Sequence, residues 1–210
     1  KRTPSRDLLD PDQHPIQTES EDTTHFSIVD RYGNAVSNTY TLNYSFGNGR
    51  VVPGLGFFLN NEMDDFSAAP GALNAYGLVG SEANKVEPEK RMLSSMTPLF
   101  LFEDHKLRLV TGTPGGSRII TTMVQVIQNM TDFNLNVAEA TLARRTHHQW
   151  WPEQLRVEKG LNADTRERLE AMGYTINEGR AMGSVESIWI EDYKLEGFSD
   201  LRKPGGAAVG

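Results

Sequence analysis

The sequence contains no cysteine. Disulfides, thiolate metal sites and a cysteine nucleophile are therefore excluded within it. No apolar run approaches the roughly 18 residues of a membrane span. No basic stripe of the kind a nucleic-acid surface needs is present. Lys and Arg number 21 against 28 Asp and Glu, a formal net charge of -7, and the cations are scattered. No signal peptide opens the chain. Its first residues, KRTPSRDLLDPDQHPIQTESED, read as a polar, Pro-containing tail, so a fragment or processing product of something longer is expected. What is present is an ordinary globular composition, 38% hydrophobic and 23% charged over 210 residues. That suits one domain or one large piece of a domain.

At Thr23 the pattern changes. HFSIVD and AVSNTYTLNYSF alternate around RYGN, which predicts a β-hairpin with Gly33 and Asn34 at the turn. A Gly-punctuated loop then leads into a short apolar strand expected at Gly56–Leu59. Residues 67–92 are irregular, and a structureless stretch of that length reads as a lid or as a tolerated surface insertion. LFLFED and KLRLVTG predict two strands. Thr113–Ser117 is expected to connect the second strand to a helix, because RIITTMVQVIQNM carries apolar residues at helical spacing. NVAEATLARR and ADTRERLEAMGY predict two more helices, the latter ending at Gly173. SVESIWIEDYKLEGFSD predicts a closing hairpin near Asp192–Lys194. Strands bracketing helices point to a layered α/β protein.

The residues that could carry chemistry begin at Thr23. A threonine hydroxyl is a weak nucleophile and needs a base. Its own α-amine can serve, provided the threonine is a chain N-terminus. Such an amine titrates near about 7.7–8.0, so part of it is neutral at physiological pH. By itself, a threonine pair at a strand start reflects only β-propensity. Gly115 and Gly116 stand at the strand-to-helix turn, where glycine lets backbone N–H groups approach a developing oxyanion beside a helix N-terminus. A tight turn needing positive φ is the plainer reading of the same pair. NNEMDD reads as a solvated acidic loop, and Ser94–Ser95 as a turn or cap. His147 and His148 are adjacent and converge poorly on a metal, which favours a structural role.

Read together, Thr23-Thr24-His25-x-Ser27-Ile28, Gly33-Asn34-x-Val36-Ser37-x-Thr39-x-Thr41-Leu42-Asn43 and Phe46-Gly47 resemble the signature of the γ-glutamyltransferase family. The resemblance continues through NNEMDDF, KRMLSSMTP, TGTPGGSRIITT, NVAEAT, HHQW and QLRVE. It implies the fold of the N-terminal-nucleophile hydrolases, an α/β (αββα) sandwich with two sheets between helical layers. It implies that a precursor cuts itself between Asp22 and Thr23. Residues 1–22 would then be the end of a large subunit, and residues 23–210 the small catalytic subunit.

The same resemblance assigns roles. Thr23 is the expected nucleophile, with its amine as base, and Thr41 supports it; a strand threonine bonded only to backbone is the alternative at Thr41. Asn43, Glu62 and Asp65 are expected to hold the amino acid end of a γ-glutamyl group. Ser94 and Ser95 are expected on its α-carboxylate, and Gly115 and Gly116 form the oxyanion hole. Tyr76 is the expected lid residue.

The implied reaction is γ-glutamyl transfer from glutathione or its conjugates, through a Thr23 ester, to water or to amino acid or dipeptide acceptors. No metal or organic cofactor is implied. The implied partner is the large subunit of the same precursor, and the implied place is periplasmic or secreted. The rival readings are a cephalosporin acylase or a polyglutamate capsule enzyme of the same family, a non-catalytic subunit, and an ordinary α/β domain.

Overall fold

The computed structural model describes residues 23–74, 77–192, 194–203 and 205–206. In chain order its elements are β1 (Thr24–Val29), β2 (Ala35–Tyr40), β3 (Leu99–Glu103), β4 (Lys106–Gly112), α1 (Arg118–Thr131) and α2 (Val137–Leu142). There follow β5 (Thr146–His147), β6 (Leu155–Glu158), α3 (Ala163–Ala171), β7 (Ile176–Gly179), β8 (Glu186–Glu191) and β9 (Lys194–Ser199).

β1 and β2 pair antiparallel, from Thr24 against Tyr40 to Val29 against Ala35. Asp30 builds the loop between them. Its Oδ1 accepts from the N–H groups of Tyr32 at 2.8 Å and Asn34 at 2.9 Å, and its Oδ2 from Asn34 Nδ2 at 2.8 Å. Gly33 sits in this loop at φ +82°. That is a left-handed conformation which glycine enters without steric cost.

The inner face of this hairpin lies on a four-stranded antiparallel sheet of order β3-β4-β8-β9. Hydroxyls join the two sheets. Ser27 Oγ donates to the Glu186 carbonyl and Ser37 Oγ to the Thr111 carbonyl, each at 2.8 Å. The far face of the sheet packs on helices. Ile119, Met123, Val126 and Met130 of α1 recur at helical spacing and meet Leu109, Val137, Ala140 and Val185 in one buried cluster. Each such side chain contributes roughly 1.5–3 kcal/mol through burial. α2 is fixed at its start by a capping box: Asn136 Oδ1 accepts from Glu139 N at 2.9 Å, and Glu139 Oε2 from Asn136 N at 3.1 Å. Such a cap is worth about 1 kcal/mol.

A smaller sheet of order β5-β6-β7 lies beside this body. β6 and β7 are parallel, so they need a crossover, and α3 supplies it. α3 closes with Gly173 at φ +89°, as its sequence predicts.

Three expectations change. Gly56–Leu59 is not a strand: Gly54 and Gly56 take φ +79° and +74° and fold the chain back, so only an isolated Val51–Phe58 bridge remains. The second hairpin strand stops at Tyr40, and Asn43 at φ +73° turns the chain away from the sheet. The helix expected over NVAEATLARR covers only Val137–Leu142, because Ala143 is already extended at ψ 141°. Among the described residues, no helix is long and apolar enough to cross a membrane.

Candidate active site

Thr23 stands immediately before β1. The β1–β2 ladder runs Thr24–Tyr40, His25–Thr39, so its next rung would set Thr23 opposite Thr41. Side chains directly opposite across an antiparallel pair lie roughly 4.5–5.5 Å apart at Cβ. Thr23 also lines a cavity of about 600 Å³ together with Pro114, Ser184 and Glu186. Gly115 and Gly116 follow Pro114, at φ +139° and +56°, and both are buried. Only glycine takes such a pair of angles readily, so the turn requires both.

The Gly115–Gly116 turn is braced from behind. Thr113 Oγ1 accepts from Ser184 N at 2.8 Å and donates to the Pro114 carbonyl at 2.9 Å. A Cβ on Gly115 would meet Gly183 Cα at 3.6 Å. The Met182–Val185 strip that carries Gly183 is itself tied at both ends. Met182 N donates to Glu158 Oε1 at 2.9 Å, and Val185 N to Asp200 Oδ2 at 3.0 Å.

From Thr41 the hydrogen bonds lead to the residues expected on the amino acid end of a substrate. Thr41 Oγ1 accepts from Asn43 N at 2.9 Å, and Asn43 Nδ2 donates to the Asn61 carbonyl at 3.2 Å. Asn43 is buried. Asn61 opens the 3-10 turn Glu62–Asp65. Burial, and then the negative charge of Asp65, push the Glu62 carboxyl up to about 7. Burial pushes Asp65 up as well. Among the described residues, Glu62 Oε1 is buried with no hydrogen-bond partner. Two carboxyls crowded together with an unsatisfied buried oxygen form a site poised for a cation that can donate hydrogen bonds. Ser94 and Ser95 lie in the irregular stretch before β3, where Ser94 Oγ accepts from Met96 N at 3.2 Å. Tyr76 and Asp22 lie outside the described residues.

The hydrogen-bond partners of three groups escaped the sequence. His25, two residues from Thr23, is buried, and burial lowers its pKa to about 4. Because Ser27 Oγ donates to Glu186, it accepts from His25 Nε2 at 3.2 Å, which leaves Nδ1 to accept from Thr39 Oγ1 at 2.7 Å. That is a neutral ring with both nitrogens engaged. His147 is the second. Its Nδ1 meets Thr121 Oγ1 at 2.8 Å and its Nε2 meets Gln149 Oε1 at 2.9 Å. Burial lowers its pKa to about 4 as well. Gln149 Oε1 also accepts from Ser117 Oγ at 2.6 Å, so HHQW anchors the start of α1 directly behind the glycine pair. The third is Asn84, whose side chain links the acidic turn to the serine stretch. None of these pairings follows a period that sequence alone displays.

The gamma-glutamyltranspeptidase family model matches residues 1–210. A glutathione hydrolase proenzyme of Escherichia coli is 55% identical over 193 residues, covering 91% of this chain and 33% of that protein. This chain thus spans about a third of the length of the curated relatives it matches. Among solved structures, a gamma-glutamyltranspeptidase from Pseudomonas nitroreducens complexed with L-DON superposes with TM-score 0.84 at 51% identity, over 89% of this chain and 99% of that one. A cephalosporin acylase from Bacillus halodurans superposes with TM-score 0.75 at 28% identity, over 87% of this chain and 33% of that one. The two facing sheets and the α1–α2 layer are this chain's portion of the αββα sandwich of the N-terminal-nucleophile hydrolases. With the family model matched along its whole length, the chain belongs to the gamma-glutamyltranspeptidase family.

Proposed function

We propose that this chain carries the catalytic centre of a γ-glutamyl acyl transferase that becomes active when the Asp22–Thr23 bond is cut. The carrying observation is the continuous path from the rung of Thr23 and Thr41 through Asn43 and Asn61 to Glu62 and Asp65. A nucleophile at one end of that path and a cation-seeking carboxyl pair at the other suit a substrate with an acyl carbon at one end and an α-ammonium at the other. The γ-glutamyl group is such a substrate.

Cleavage exposes the Thr23 α-amine. It takes the Oγ proton as Oγ attacks the γ-amide carbon. The Gly115 and Gly116 N–H groups face the developing oxyanion, a contribution of about 2.7–4 kcal/mol for each donor in comparable sites. The C–N bond then breaks, the leaving amine takes the proton from the Thr23 amine, and a γ-glutamyl ester remains on Thr23. Water or an acceptor amine repeats the sequence in reverse and frees Oγ. The neutral, fully engaged His25 is no competitor for the base role. Glutathione and its conjugates are the proposed donors, and amino acids or dipeptides the acceptors. Ser94 and Ser95 hold the α-carboxylate in this scheme, and Tyr76 covers the acyl-enzyme.

The proposed partner is the remainder of the same precursor, of which residues 1–22 form the end. The outer face of the hairpin exposes Phe26, Ile28, Val36 and Tyr40, an apolar strip that such a partner would cover. A periplasmic or secreted location accompanies this reading.

The test is self-cleavage and turnover of the full-length precursor bearing this segment. Intact mass should show a new amino terminus at Thr23, and the product should release p-nitroaniline from γ-glutamyl-p-nitroanilide. Thr23→Ala should do neither. Full activity in a homogeneous uncleaved chain would overturn the amine-base mechanism, and preferential cleavage of glutaryl-p-nitroanilide would favour the acylase reading instead.

A further inference from the structure

The two charges on the α-carbon of a γ-glutamyl group are separated by one atom. Their subsites must therefore be held at a fixed spacing, yet Asp65 and Ser94 lie far apart in sequence and on different segments. Neither segment is a strand or an α-helix: one is a 3-10 turn and the other an irregular stretch. Something must fix the distance between them.

Asn84 does so with both ends of one amide. Its Nδ2 donates to the Asp65 carbonyl at 2.7 Å, and its Oδ1 accepts from the Leu93 N–H at 3.0 Å. Leu93 immediately precedes Ser94. The amide orientation is fixed by its partners, since the carbonyl can only accept and the N–H only donate. A planar carboxamide has no internal freedom, so the distance between the two partners is set by covalent geometry and one pair of hydrogen bonds. Asn84 is itself immobilised. It ends the 3-10 turn Glu82–Asn84, its N–H donates to Ser81 O at 3.1 Å, and its carbonyl accepts from Ser67 N at 2.9 Å. Ser67 and Lys85 form a bridge beside it. The side chain is half-buried, so water replaces a lost bond only in part.

We propose that Asn84 is a positioning residue that sets the spacing between the α-ammonium and α-carboxylate subsites, and so confers selectivity for donors carrying both charges. The proposal rests on the γ-glutamyl function given above. It makes Asn84 a specificity determinant that touches neither the nucleophile nor the reacting carbon.

The experiment uses the self-cleaved full-length protein and three p-nitroanilides. γ-Glutamyl carries both charges, glutaryl lacks the α-amine, and 4-aminobutyryl lacks the α-carboxylate. In Asn84→Ala, KM for the γ-glutamyl donor should rise about tenfold, the loss of one or two partly buried hydrogen bonds, with kcat within about threefold. Its preference over each single-charge donor should fall by a similar factor, because those donors engage one subsite only. Asn84→Ser, which is smaller but keeps a hydroxyl, should lie between. A parallel change for all three donors, an unchanged γ-glutamyl KM, or a loss confined to kcat would overturn the role. So would an unfolded, uncleaved precursor in both variants, which would make Asn84 a folding residue. Failure of the wild-type protein to cleave γ-glutamyl-p-nitroanilide at all would instead overturn the function itself.

Discussion

Thr24 faces Tyr40 in the last pair of the β1–β2 ladder, and continuing that register by one rung sets Thr41 opposite Thr23. The Asp30-capped loop sets that register. Moving the turn centre onto Gly33 and Asn34 would place Tyr44, not Thr41, opposite Thr23. Thr41 Oγ1 accepts from Asn43 N, which leaves its proton to donate. Thr41→Val keeps the shape and removes that donor. It should lower kcat for γ-glutamyl-p-nitroanilide by roughly tenfold or more, the worth of a hydrogen bond to a charged or developing anion. Thr41→Ser should retain most of the rate. Steady-state kinetics on the two self-cleaved variants decide it.

The parts of this arrangement that repeat locally were legible in the sequence. The spacing of Ile119, Met123, Val126 and Met130 gives α1, and two glycines ahead of it give the turn. Alternation from His25 onward gives the hairpin. Glu62 and Asp65 carried no such signal and stood out only through the family resemblance, since an acidic run on its own is a solvated loop. Asn84, and the Ser117–Gln149–His147–Thr121 chain, are side-chain pairings between residues distant in sequence, and they leave no period. β5 to β7 have at most four residues each, too few to show alternation against their surroundings. Gly56–Leu59 misled because its apolar residues suggested a strand, while Gly54 and Gly56 dictated a fold-back.

Under the proposed function, the Glu62–Asp65 pair should make donor affinity depend on pH. Burial and the Asp65 charge raise Glu62 to about 7. Above that value Glu62 is ionised, and below it Glu62 is neutral. An α-ammonium binds the pair better with Glu62 ionised, so the donor KM should rise as pH falls through about 7. Glu62→Gln should flatten that part of the profile. The sign for stability is the opposite of the usual carboxylate case. A raised folded-state pKa contributes stability that is fully present below the ordinary glutamate value of about 4.3 and is lost as pH rises through the folded value. Thermal melts should therefore show Glu62→Gln gaining on wild type from pH 5 to pH 8. A KM profile identical in the two proteins would exclude the pair from ammonium binding.

Gly112 is fixed by His25. A Cβ there would stand 2.2 Å from His25 Cε1 and 2.4 Å from Nδ1, and the ring cannot retreat without giving up Thr39 or Ser27. Gly112→Ala should cost on the order of 1–3 kcal/mol from overpacking. It should also lower activity by tilting β1, whose first residue follows Thr23. His25→Ser in the same chain removes the obstruction, so the double variant should be more stable than the sum of the two single changes predicts, a coupling typical of residues in contact. Strict additivity in chemical denaturation would show that the strand shifts freely and that this contact does not place it.

The buried charges behind the Gly115–Gly116 turn should set the acid limit of the fold. Arg145 and Asp200 are 2% and 0% exposed at their side chains and pair at 2.6 Å. Arg202 joins them through Asp200 Oδ1 at 3.1 Å and holds Glu158 at 2.7 Å. Burial alone would raise the Asp200 pKa. The Arg145 guanidinium opposes it, with the Val185 N–H and Arg202, and the net direction is downward. A depressed carboxyl contributes stability that is present above the unfolded value of about 3.9 and is lost as pH falls through the folded value. Wild type should thus hold its melting temperature down to about pH 4 and lose it below. Asp200→Asn strands the Arg145 charge in the interior and should cost about 3–5 kcal/mol. The pair Arg145→Leu and Asp200→Leu together should cost less than Asp200→Asn plus Arg145→Leu, because no unpaired charge is then left behind. Asp200→Leu also takes the acceptor from Val185 N, which the amide oxygen of Asp200→Asn still offers. The strip behind Gly115 should then loosen, and kcat should fall in the double variant even where stability recovers. A double variant with wild-type kcat would detach this network from the Gly115–Gly116 turn and leave it a purely structural one.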